Sequence, residues 1–415
     1  MSKLTKYKFS DLYEMSSGIS SSKEQAGHGS PFISFSTVFN NYFLPEELPD
    51  LMDTSLKEQE IFSVKKDDVF ITRTSETVDA LAMSCVAVKD YPKATFSGFV
   101  KRLRPKTTGI VYSKYIAFFL RSKYFRKVLD CNTIMTLRAS FNEDMFSFLY
   151  LYLPDYEEQV RIGDLLYKME MKIRTNNKIN DNLEQQAKLI YDYWFTQFDF
   201  PDENGKPYCS SGGKMVWDEQ LKRNIPENWN VVPLLKLVSW ESNSQPPKSE
   251  FVYEPKEGYV RFIQNRDYDS DTHITYIPRT KNLSIVDRFD ILMDKYGDAG
   301  AVRYGIEGAF NVALGKICVH NPNYREYIRS FLGSDGIYKF LHNSCMASTR
   351  ASLSEANLAI LNVVVPDEKI ILDYENFLQK IRVSILKNKD ETVELINLRD
   401  WLLPMLMNGQ ATIAD

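Results

Sequence analysis

Cysteine and histidine are scarce in this sequence and are not grouped. Its 415 residues include five cysteines and four histidines, and no CxxC pair occurs. A structural zinc site needs clustered ligands, and a disulfide-stabilised fold needs a higher cysteine content. We therefore expect free thiols in a reducing compartment and no metal site.

Long apolar runs and phosphate-binding glycine loops are also missing. No run approaches the ~20 apolar residues that a membrane span requires. The first residues, MSKLTKYKFS, lack the apolar core of a secretion signal. No GxxxxGK[ST] motif is found. The lack of a membrane span and of a secretion signal predicts a cytoplasmic protein with no membrane partner.

Charge of one sign is not in excess. The formal net charge is −4 and the pI is about 5.8, which argues only weakly against nucleic-acid binding because local patches matter more than the total. The 44% hydrophobic and 13% aromatic contents are typical of a globular chain. The length allows two or three domains.

What the sequence does contain is a long internal repeat. TLRASFNEDMFSFLYLYLPD and STRASLSEANLAILNVVVPD share Arg-Ala-Ser, a following acidic residue, an apolar run and Pro-Asp, and Arg350 follows Arg138 by 212 residues. Upstream, at another offset, FSVKKDDVFITRTSE matches LSIVDRFDILMDKYG, which aligns Asp68 with Asp290 and Arg73 with Lys295. We infer one unit of about 200 residues that occurs twice.

The back part of each copy, residues 154–196 and 366–415, has apolar positions at alternating steps of four and three with a polar pair in the centre. We expect two long helices that pair with each other, their asparagines fixing the register. Packing of each helix on its own module is the alternative. The predicted seam residues are Ile162, Leu166, Met169, Ile173, Asn176, Leu183, Leu378, Ile381, Ile385, Asn388, Leu395 and Leu402.

Two details of the second helix depart from the simple pattern. Arg399 interrupts its seam, and we expect Leu398 to replace it after a small rotation. We expect Pro404 and Gly409 to end the helix, because proline and glycine are typical of helix termini.

The front parts, residues 1–153 and 229–365, mix short β-like runs with helical segments, and a Gly/Ser/Pro-rich linker covers residues 197–228. The predicted fold class is mixed α/β (α+β). It consists of two modules separated by two long helices that pair as an antiparallel coiled coil, with an internal pseudo-twofold duplication.

Basic side chains concentrate in the first module. Residues 101–138 contain ten basic residues and one acid, which is typical of phosphate contact, although a solvated helix face is the alternative. In the second module, RFIQNRDYD offers side chains that can contact guanine and adenine edges, or it is a surface loop without a role. The predicted DNA contacts are Arg73, Lys101, Arg102, Arg104, Lys106, Arg138, Arg261, Gln264, Asn265, Arg266, Lys295 and Arg350. For Arg138 and Arg350 two roles are open, contact with a DNA phosphate and hydrogen bonds that fix the junction between module and helix, and we favour the second.

Two short stretches look catalytic. NPNY, residues 321–324, is similar to an adenine-methyltransferase tetrapeptide but lacks its second proline and a glycine-rich cofactor loop. PDENGK, residues 201–206, is similar to a nuclease signature but lies in the linker. We expect no catalytic residue in this chain. A nuclease that uses Asp202 and Glu203 is the alternative.

The duplicated architecture, together with LYLPDYEEQVRIGDLL, IPENWNVVPL and LRDWLLPMLMNGQ, resembles the specificity subunit of type I restriction-modification systems over nearly the whole chain. The second helix start, VVVPDEKIILDYENF, departs from the pattern because it lacks the Glu-Gln pair of the first.

This resemblance implies two target-recognition domains that each bind one half of a bipartite, asymmetric double-stranded DNA site, with the helices as spacer. It implies two methyltransferase (M) subunits that use S-adenosylmethionine and restriction/translocase (R) subunits that use ATP and Mg²⁺. This chain itself binds no cofactor in that picture. The alternatives are the recognition subunit of a related phage-defence or type II system, and a coiled-coil scaffold without DNA specificity.

Overall fold

The short β-branched and aromatic runs of the front parts form strands. The computed structural model describes residues 4–20, 22–75, 80–132, 139–269, 273–346 and 352–413 of the chain. The chain divides into two units, each built from two separate segments. Unit 1 comprises Met1–Asn176 with Asp390–Asp415, and unit 2 comprises Asn177–Lys389.

Unit 1 combines short strands with short helices. Its strands among the described residues are β1 (Thr5–Lys8), β2 (Tyr13–Ser17), β3 (Ala26–Ile33), β4 (Asp50–Met52), β5 (Val69–Thr72), β6 (Thr74–Ser75), β7 (Ser84–Val86), β8 (Thr95–Phe96), β9 (Val100–Pro105), β10 (Ala139–Ser140) and β11 (Tyr150–Leu153). Its short helices are α1 (Phe9–Leu12), α2 (Phe35–Asn40), α3 (Leu56–Ile61), α4 (Ser113–Phe119), α5 (Lys123–Asn132) and α6 (Glu143–Phe148).

The centre of unit 1 is a four-stranded antiparallel sheet in the order β2-β9-β5-β7. A second sheet, β4-β3-β8, contains a parallel pair between β3 and β8, and β1 pairs with β11. Aromatic side chains dominate the main core, in which Phe9, Tyr115 and Phe125 are almost fully buried. Burial of such large apolar side chains is the main stabilising contribution to the module.

Unit 2 repeats this plan. Its strands among the described residues are β12 (Met215–Asp218), β13 (Arg223–Pro226), β14 (Asn230–Pro233), β15 (Val238–Ser242), β16 (Tyr259–Ile263), β17 (Tyr276–Pro278), β18 (Ile285–Val286), β19 (Ile291–Asp294), β20 (Val302–Arg303), β21 (Gly308–Phe310), β22 (Leu314–Val319) and β23 (Asn362–Val365). The long helix α7 (Tyr156–Tyr191) starts in unit 1 and ends in unit 2, where α8 (Arg325–Leu332), α9 (Asp335–Met346) and α10 (Glu355–Ala359) follow. The last helix, α11 (Glu368–Met407), starts in unit 2 and ends in unit 1.

The main sheet of unit 2 has the order β15-β22-β19-β20, and a second sheet, β17-β16-β21-β18, again contains a parallel pair, here β16 with β21. Strands β14 and β23 pair as β1 and β11 do. The sequence alignment is reproduced in detail. Asp68 accepts a hydrogen bond from the Lys65 amide at 2.8 Å, and the aligned Asp290 accepts one from the Asp287 amide at 2.9 Å. The predicted mixed fold with an internal duplication is confirmed.

In unit 1 the first part of α7 packs on the last part of α11. Asn176 Nδ2 donates to Glu391 Oε2 at 2.8 Å, and Arg399 Nη1 donates to Glu170 Oε2 at 3.0 Å. Residue numbers rise along one helix as they fall along the other, so this pairing is antiparallel. Ile162 and Leu406 also belong to the module core, which means that the helices pack both on each other and on the module.

In unit 2 the remainder of the two helices pairs in the same sense. Asn388 Nδ2 donates to Asn180 Oδ1 at 2.9 Å, and Arg382 contacts Glu184. Of the predicted seam residues, Ile162, Leu166, Ile173, Asn176, Leu378, Ile381 and Ile385 are buried, and Met169, Leu183, Asn388, Leu395 and Leu402 are partly buried. The predicted pairing of two long antiparallel helices is confirmed within each unit.

The start of α7 shows what the Glu-Gln pair does. Asp155 caps the helix by accepting from the Glu158 amide at 2.8 Å. Gln159 is buried and joins the helix to the segment before α4, since it donates to the Ile110 carbonyl and accepts from the Tyr112 amide, both at 3.0 Å. In unit 2 the equivalent position is Ile371, which is fully buried in an apolar core.

Two expectations for the second helix were wrong. Leu398 is 43% exposed, while Arg399 occupies the seam and is satisfied there by the Glu170 carboxylate. Pro404 does not end the helix, which continues to Met407. Burial of the Leu406 and Met407 side chains in the core of unit 1 offsets the loss of the backbone hydrogen bond that proline cannot donate.

Gly409 forms the C-terminal cap of α11. Its φ of 66° lies in the left-handed region, and the Gln410 amide donates to the Met405 carbonyl at 2.9 Å. This is a Schellman cap, in which glycine is favoured because it has no Cβ.

The predicted linker is ordered against unit 2. Its β12–β13 hairpin is preceded by Phe198 and Phe200, which are buried on the Trp229 ring at centroid distances of 5.6 and 4.7 Å. Among the described residues, no helix has the length and apolar content needed to cross a membrane.

Candidate nucleic-acid interface

The basic residues of β9 are largely engaged inside unit 1. Lys101 is 7% exposed and donates to Ser17 Oγ at 2.8 Å, and Arg102 is 9% exposed and donates to the Ser63 carbonyl at 2.6 Å. Burial, together with the nearby charge of Arg73, lowers the pKa of Lys101. Desolvation of this kind disfavours the charged form of an amine.

Arg104 is also committed to the fold. Its guanidinium forms a two-point contact with Asp68, with N···O distances of 2.7 and 2.6 Å, and the hydrogen bond to Asp68 raises the pKa of Arg104. In unit 2 the aligned Asp290 is also paired, here with Lys316 at 2.9 Å, which occupies the position equivalent to Arg102. A paired carboxylate in both units indicates a structural role at this position.

Of the predicted cations of unit 1 that the structure describes, Arg73 and Lys106 are solvent-exposed. Lys106 Nζ donates to the Ser10 carbonyl at 2.8 Å, and the Arg73 guanidinium lies 3.5 Å from the Gly98 carbonyl oxygen. These contacts are made with backbone carbonyls at the surface, so both charged groups remain open to a phosphate ligand.

The predicted polar cluster of unit 2 surrounds the short turn that follows β16. Arg261 lies 4.0 Å from the buried carboxylate of Asp267, and Gln264 Nε2 donates to Thr275 Oγ1 at 3.1 Å. Asn265 is partly buried, while the side chain of Arg266 is 55% exposed. Within this cluster Arg266 therefore presents the most accessible charge.

Arg73 and Lys295 occupy equivalent places, as the alignment predicted. The Arg73 amide donates to the Phe99 carbonyl at 2.9 Å, and the Arg73 carbonyl accepts from the Phe141 amide at 2.8 Å. Arg73 thus joins the end of β5 to the turn before β9 and to the chain that follows β10.

In unit 2 the Lys295 amide donates to the Ala313 carbonyl at 2.8 Å, and the Lys295 carbonyl accepts from the Leu353 amide at 3.0 Å. Leu353 follows Phe141 by 212 residues, the offset of the repeat. We call these two places the strand-end junctions: Arg73, Phe99 and Phe141 in unit 1, and Lys295, Ala313 and Leu353 in unit 2. The two strand-end junctions have the same backbone hydrogen bonds but different side chains.

Each strand-end junction also exposes an aromatic ring that was not predicted as a functional residue. Phe99 is 65% exposed, and Tyr296, which follows Lys295, is 48% exposed. The only signal in the sequence was an aromatic residue near turn-forming residues, in TFSGFV and KYGDAG, and such a pattern has low specificity.

The two catalytic look-alikes have structural roles. Asp202 Oδ1 accepts from the amides of Asn204 and Lys206, both at 2.8 Å, and so closes a turn. Asn321 of NPNY caps a short 3-10 helix by accepting from the Asn323 amide at 3.1 Å. Over the described ranges, no group of three or more His, Cys, Asp or Glu side chains is placed to hold a metal ion.

Arg138 and Arg350 lie outside the described residues. Their predicted contact with DNA therefore stays a prediction. The positions that follow them in the repeat do take part in the fold, since Ser140 pairs with Thr74.

A family model described as the type I restriction modification DNA specificity domain matches this chain twice, over residues 1–185 and 226–400. Each match contains one front module and one long helical segment. The chain is similar to the MjaIX specificity subunit of Methanocaldococcus jannaschii, a type I restriction enzyme subunit, with 22% identity over 434 residues that cover 98% of this chain and 93% of the relative.

It is also similar to the HindI specificity subunit of Haemophilus influenzae, with 23% identity and coverage of 91% and 94%. Among solved structures, the S subunit of a type I restriction-modification system from M. genitalium superposes with a TM-score of 0.64 at 14% identity, covering 98% of this chain and 96% of that one. At this identity the superposition shows a common fold.

Proposed function

Because this chain belongs to the family of type I restriction-modification DNA specificity domains, whose function is DNA recognition, we propose that it is the specificity subunit of a type I restriction-modification complex. Each front module binds one half of a bipartite, asymmetric double-stranded DNA site.

The observation that carries this proposal is the pair of strand-end junctions. Both have the same backbone hydrogen bonds around Arg73 and Lys295, but the side chains at the surface differ, with the exposed Phe99 in unit 1 where unit 2 has Ala313. Sequence is recognised by side chains at base edges, whereas the framework positions the protein. A duplicated framework with divergent side chains suits a site whose two halves differ in sequence.

The long helices provide the spacing in this proposal. Helix α7 has 36 residues and α11 has 40. At a rise of 1.5 Å per residue, α7 is about 54 Å long. The distance between half-sites follows from helix geometry, as it does when linked DNA-binding modules fix their half-site spacing.

Catalysis belongs to partner subunits in this proposal. Two methyltransferase (M) subunits dock on the helices and modify adenine with S-adenosylmethionine, and restriction/translocase (R) subunits use ATP and Mg²⁺. The names of the two relatives, specificity subunits of type I restriction enzymes, support a non-catalytic role for this chain.

A genome-wide N6-methyladenine map tests the proposal. Cells that express this chain with its methyltransferase should show methylation at a gapped, two-part motif, and the motif should disappear in cells with the methyltransferase alone. Methylation that does not depend on this chain, with both proteins present, refutes the proposal and favours a scaffold without DNA specificity.

Arg73 and Lys295 give a matched pair of variants for the purified complex. Either R73A or K295A should weaken binding to a duplex that carries the motif and reduce the slope of log affinity against log salt by about 1, the effect of one lost phosphate contact. Lys222, an exposed lysine of the hairpin that pairs with Glu219, is the control, and K222A should leave the slope unchanged.

A further inference from the structure

We propose that Phe99 in unit 1 and Tyr296 in unit 2 insert their rings against the DNA base stack, each at one deformed base-pair step of its half-site. This inference rests on the proposed function and assigns base contact to two residues outside the basic strand and the polar cluster. Apolar wedges of this kind unstack a base step and allow the DNA to bend.

Phe99 occupies a turn that backbone hydrogen bonds hold in place. The Val100 amide donates to the Ser97 carbonyl at 2.9 Å, and the Gly98 amide donates to the Ile19 carbonyl at 2.7 Å. The Phe99 amide itself donates to Ser97 Oγ at 3.2 Å. The ring is therefore presented by a backbone that is already ordered, which reduces the entropy lost on binding.

Close packing below the turn supports the same conclusion. A Cβ at Gly98 would stand 3.0 Å from the Ile19 carbonyl oxygen, so the turn lies directly on its neighbour. Phe99 is nevertheless 65% exposed, whereas Phe96 and Val100 beside it are fully buried. The chain thus directs one large apolar ring outward from an otherwise buried segment.

A cation contacts the turn that carries this ring. The Arg73 guanidinium lies 3.5 Å from the Gly98 carbonyl oxygen, and the Arg73 amide binds the Phe99 carbonyl. An exposed ring next to an exposed guanidinium suits a ligand that offers flat aromatic bases and phosphates within one nucleotide. A purely apolar protein partner would not need the charge.

Unit 2 reaches the same arrangement with a different residue. The position equivalent to Phe99 is Ala313, whose carbonyl accepts from the Lys295 amide. The exposed ring here belongs instead to Tyr296, which follows Lys295 in the chain and is 48% exposed. Single exposed apolar side chains are common on protein surfaces. Phe99 and Tyr296 are distinguished from the others because each lies beside the aligned cation, although they belong to opposite segments of the strand-end junction.

The first test uses the whole complex, assembled with the methyltransferase, and a duplex that carries the motif found by the methylation map. F99A should raise the Kd for this duplex about 5- to 150-fold, the loss typical of one aromatic–base contact. F99Y and F99L should both retain most of the affinity, because tyrosine and leucine still provide a bulky side chain that can act as a wedge, whereas F99S should not. Phe148, which is 74% exposed in the same unit, gives the control variant F148A.

The second test locates the contact. Duplexes with 2-aminopurine at successive positions of the half-site should show increased fluorescence at one step when the wild-type complex binds, and F99A should abolish this increase. Y296A should act in the same way on the other half-site, with Y253A as its control, since Tyr253 is 71% exposed.

The inference is overturned if F99A binds as tightly as wild type, if F99A and F148A lose affinity equally, or if no position becomes unstacked. Each of these outcomes is distinct from failure of the proposed function, in which the wild-type complex itself shows no motif.

Discussion

The ion pair between Glu170 and Arg399 gives a quantitative test of how α7 and α11 pair in unit 1. The two side chains are only 11% and 13% exposed, and their N···O distance is 3.0 Å. Removal of one member of a buried pair typically costs 3–5 kcal/mol because the other charge stays buried. Here Arg399 keeps a contact with Asp400 at 2.9 Å, and Arg174 lies 3.5 Å from Glu170. We therefore expect E170A and R399A each to destabilise unit 1 by about 3 kcal/mol, the lower end of that range.

The double variant E170M/R399M should recover most of this loss, because apolar side chains of similar volume often replace buried ion pairs without cost. Lys172 and Glu391 form a matched exposed pair on the same two helices, at 3.2 Å and with exposures of 50% and 43%. Because exposed pairs contribute about 0–1 kcal/mol, K172A should have little effect.

Hydrogen exchange of the α11 amides in residues 390–407, followed by mass spectrometry, measures opening of unit 1 separately from unit 2. The reasoning is refuted if E170A and R399A are no more destabilising than K172A, or if the double variant is as unstable as the sum of the single variants.

Three further variants test other parts of the structure. Burial raises the pKa of Glu375 to about 7, so the folded state holds a proton that the unfolded state releases above about pH 4.5. The stability of unit 2 should fall by about 1–2 kcal/mol as pH rises from about 4.5 to 7, after allowance for solvent screening, and E375Q should flatten this dependence in urea unfolding. A heptad inserted after both Asn176 and Lys389 adds about 10 Å to each helix, so the gap in the methylated motif should lengthen by about three base pairs. G409A forces a Cβ into the left-handed region and should destabilise the end of α11 by about 1 kcal/mol, visible as faster amide exchange at residues 405–410.

The duplication could be predicted from sequence because its two copies preserve backbone interactions. The offset that aligned Arg73 with Lys295 and Asp68 with Asp290 placed each pair in the same hydrogen-bonded position of its unit. A repeated local pattern of turn and strand residues is therefore sufficient to locate equivalent sites.

The charge count was less informative, because it does not show which face of a strand a residue occupies. Lys101 and Arg102 are both buried, on opposite faces of β9, where each finds a polar partner inside the unit. The partner of Arg104 lies 36 residues earlier in the chain, at Asp68. A basic run therefore overestimates the charge that is available to a ligand.

The seam between α7 and α11 shows the same limit of prediction from sequence. Glu170 precedes Arg399 by 229 residues, so the heptad pattern marks Arg399 as a defect although its partner stands in the opposite helix. Exposed aromatic residues were missed for a related reason, since the exposure of Phe99 depends on a turn that the alternation of apolar residues does not reveal.

The construction of unit 1 from two distant segments has a consequence for synthesis of the chain. Leu406 and Met407 belong to the same core as Phe9 and Tyr115, so the amino-terminal module lacks part of its interior until the final residues leave the ribosome. Unit 2, by contrast, is uninterrupted between Asn177 and Lys389 and is translated before that moment. At a synthesis rate of about 5–20 residues per second, roughly 10–40 s pass between synthesis of the amino-terminal module and synthesis of the part of α11 that packs on it. During this interval the core residues that Leu406 and Met407 contact are not fully covered, and exposed apolar surface of this kind promotes aggregation. A stop codon anywhere in α11 leaves the part of the protein that was made first without these two residues.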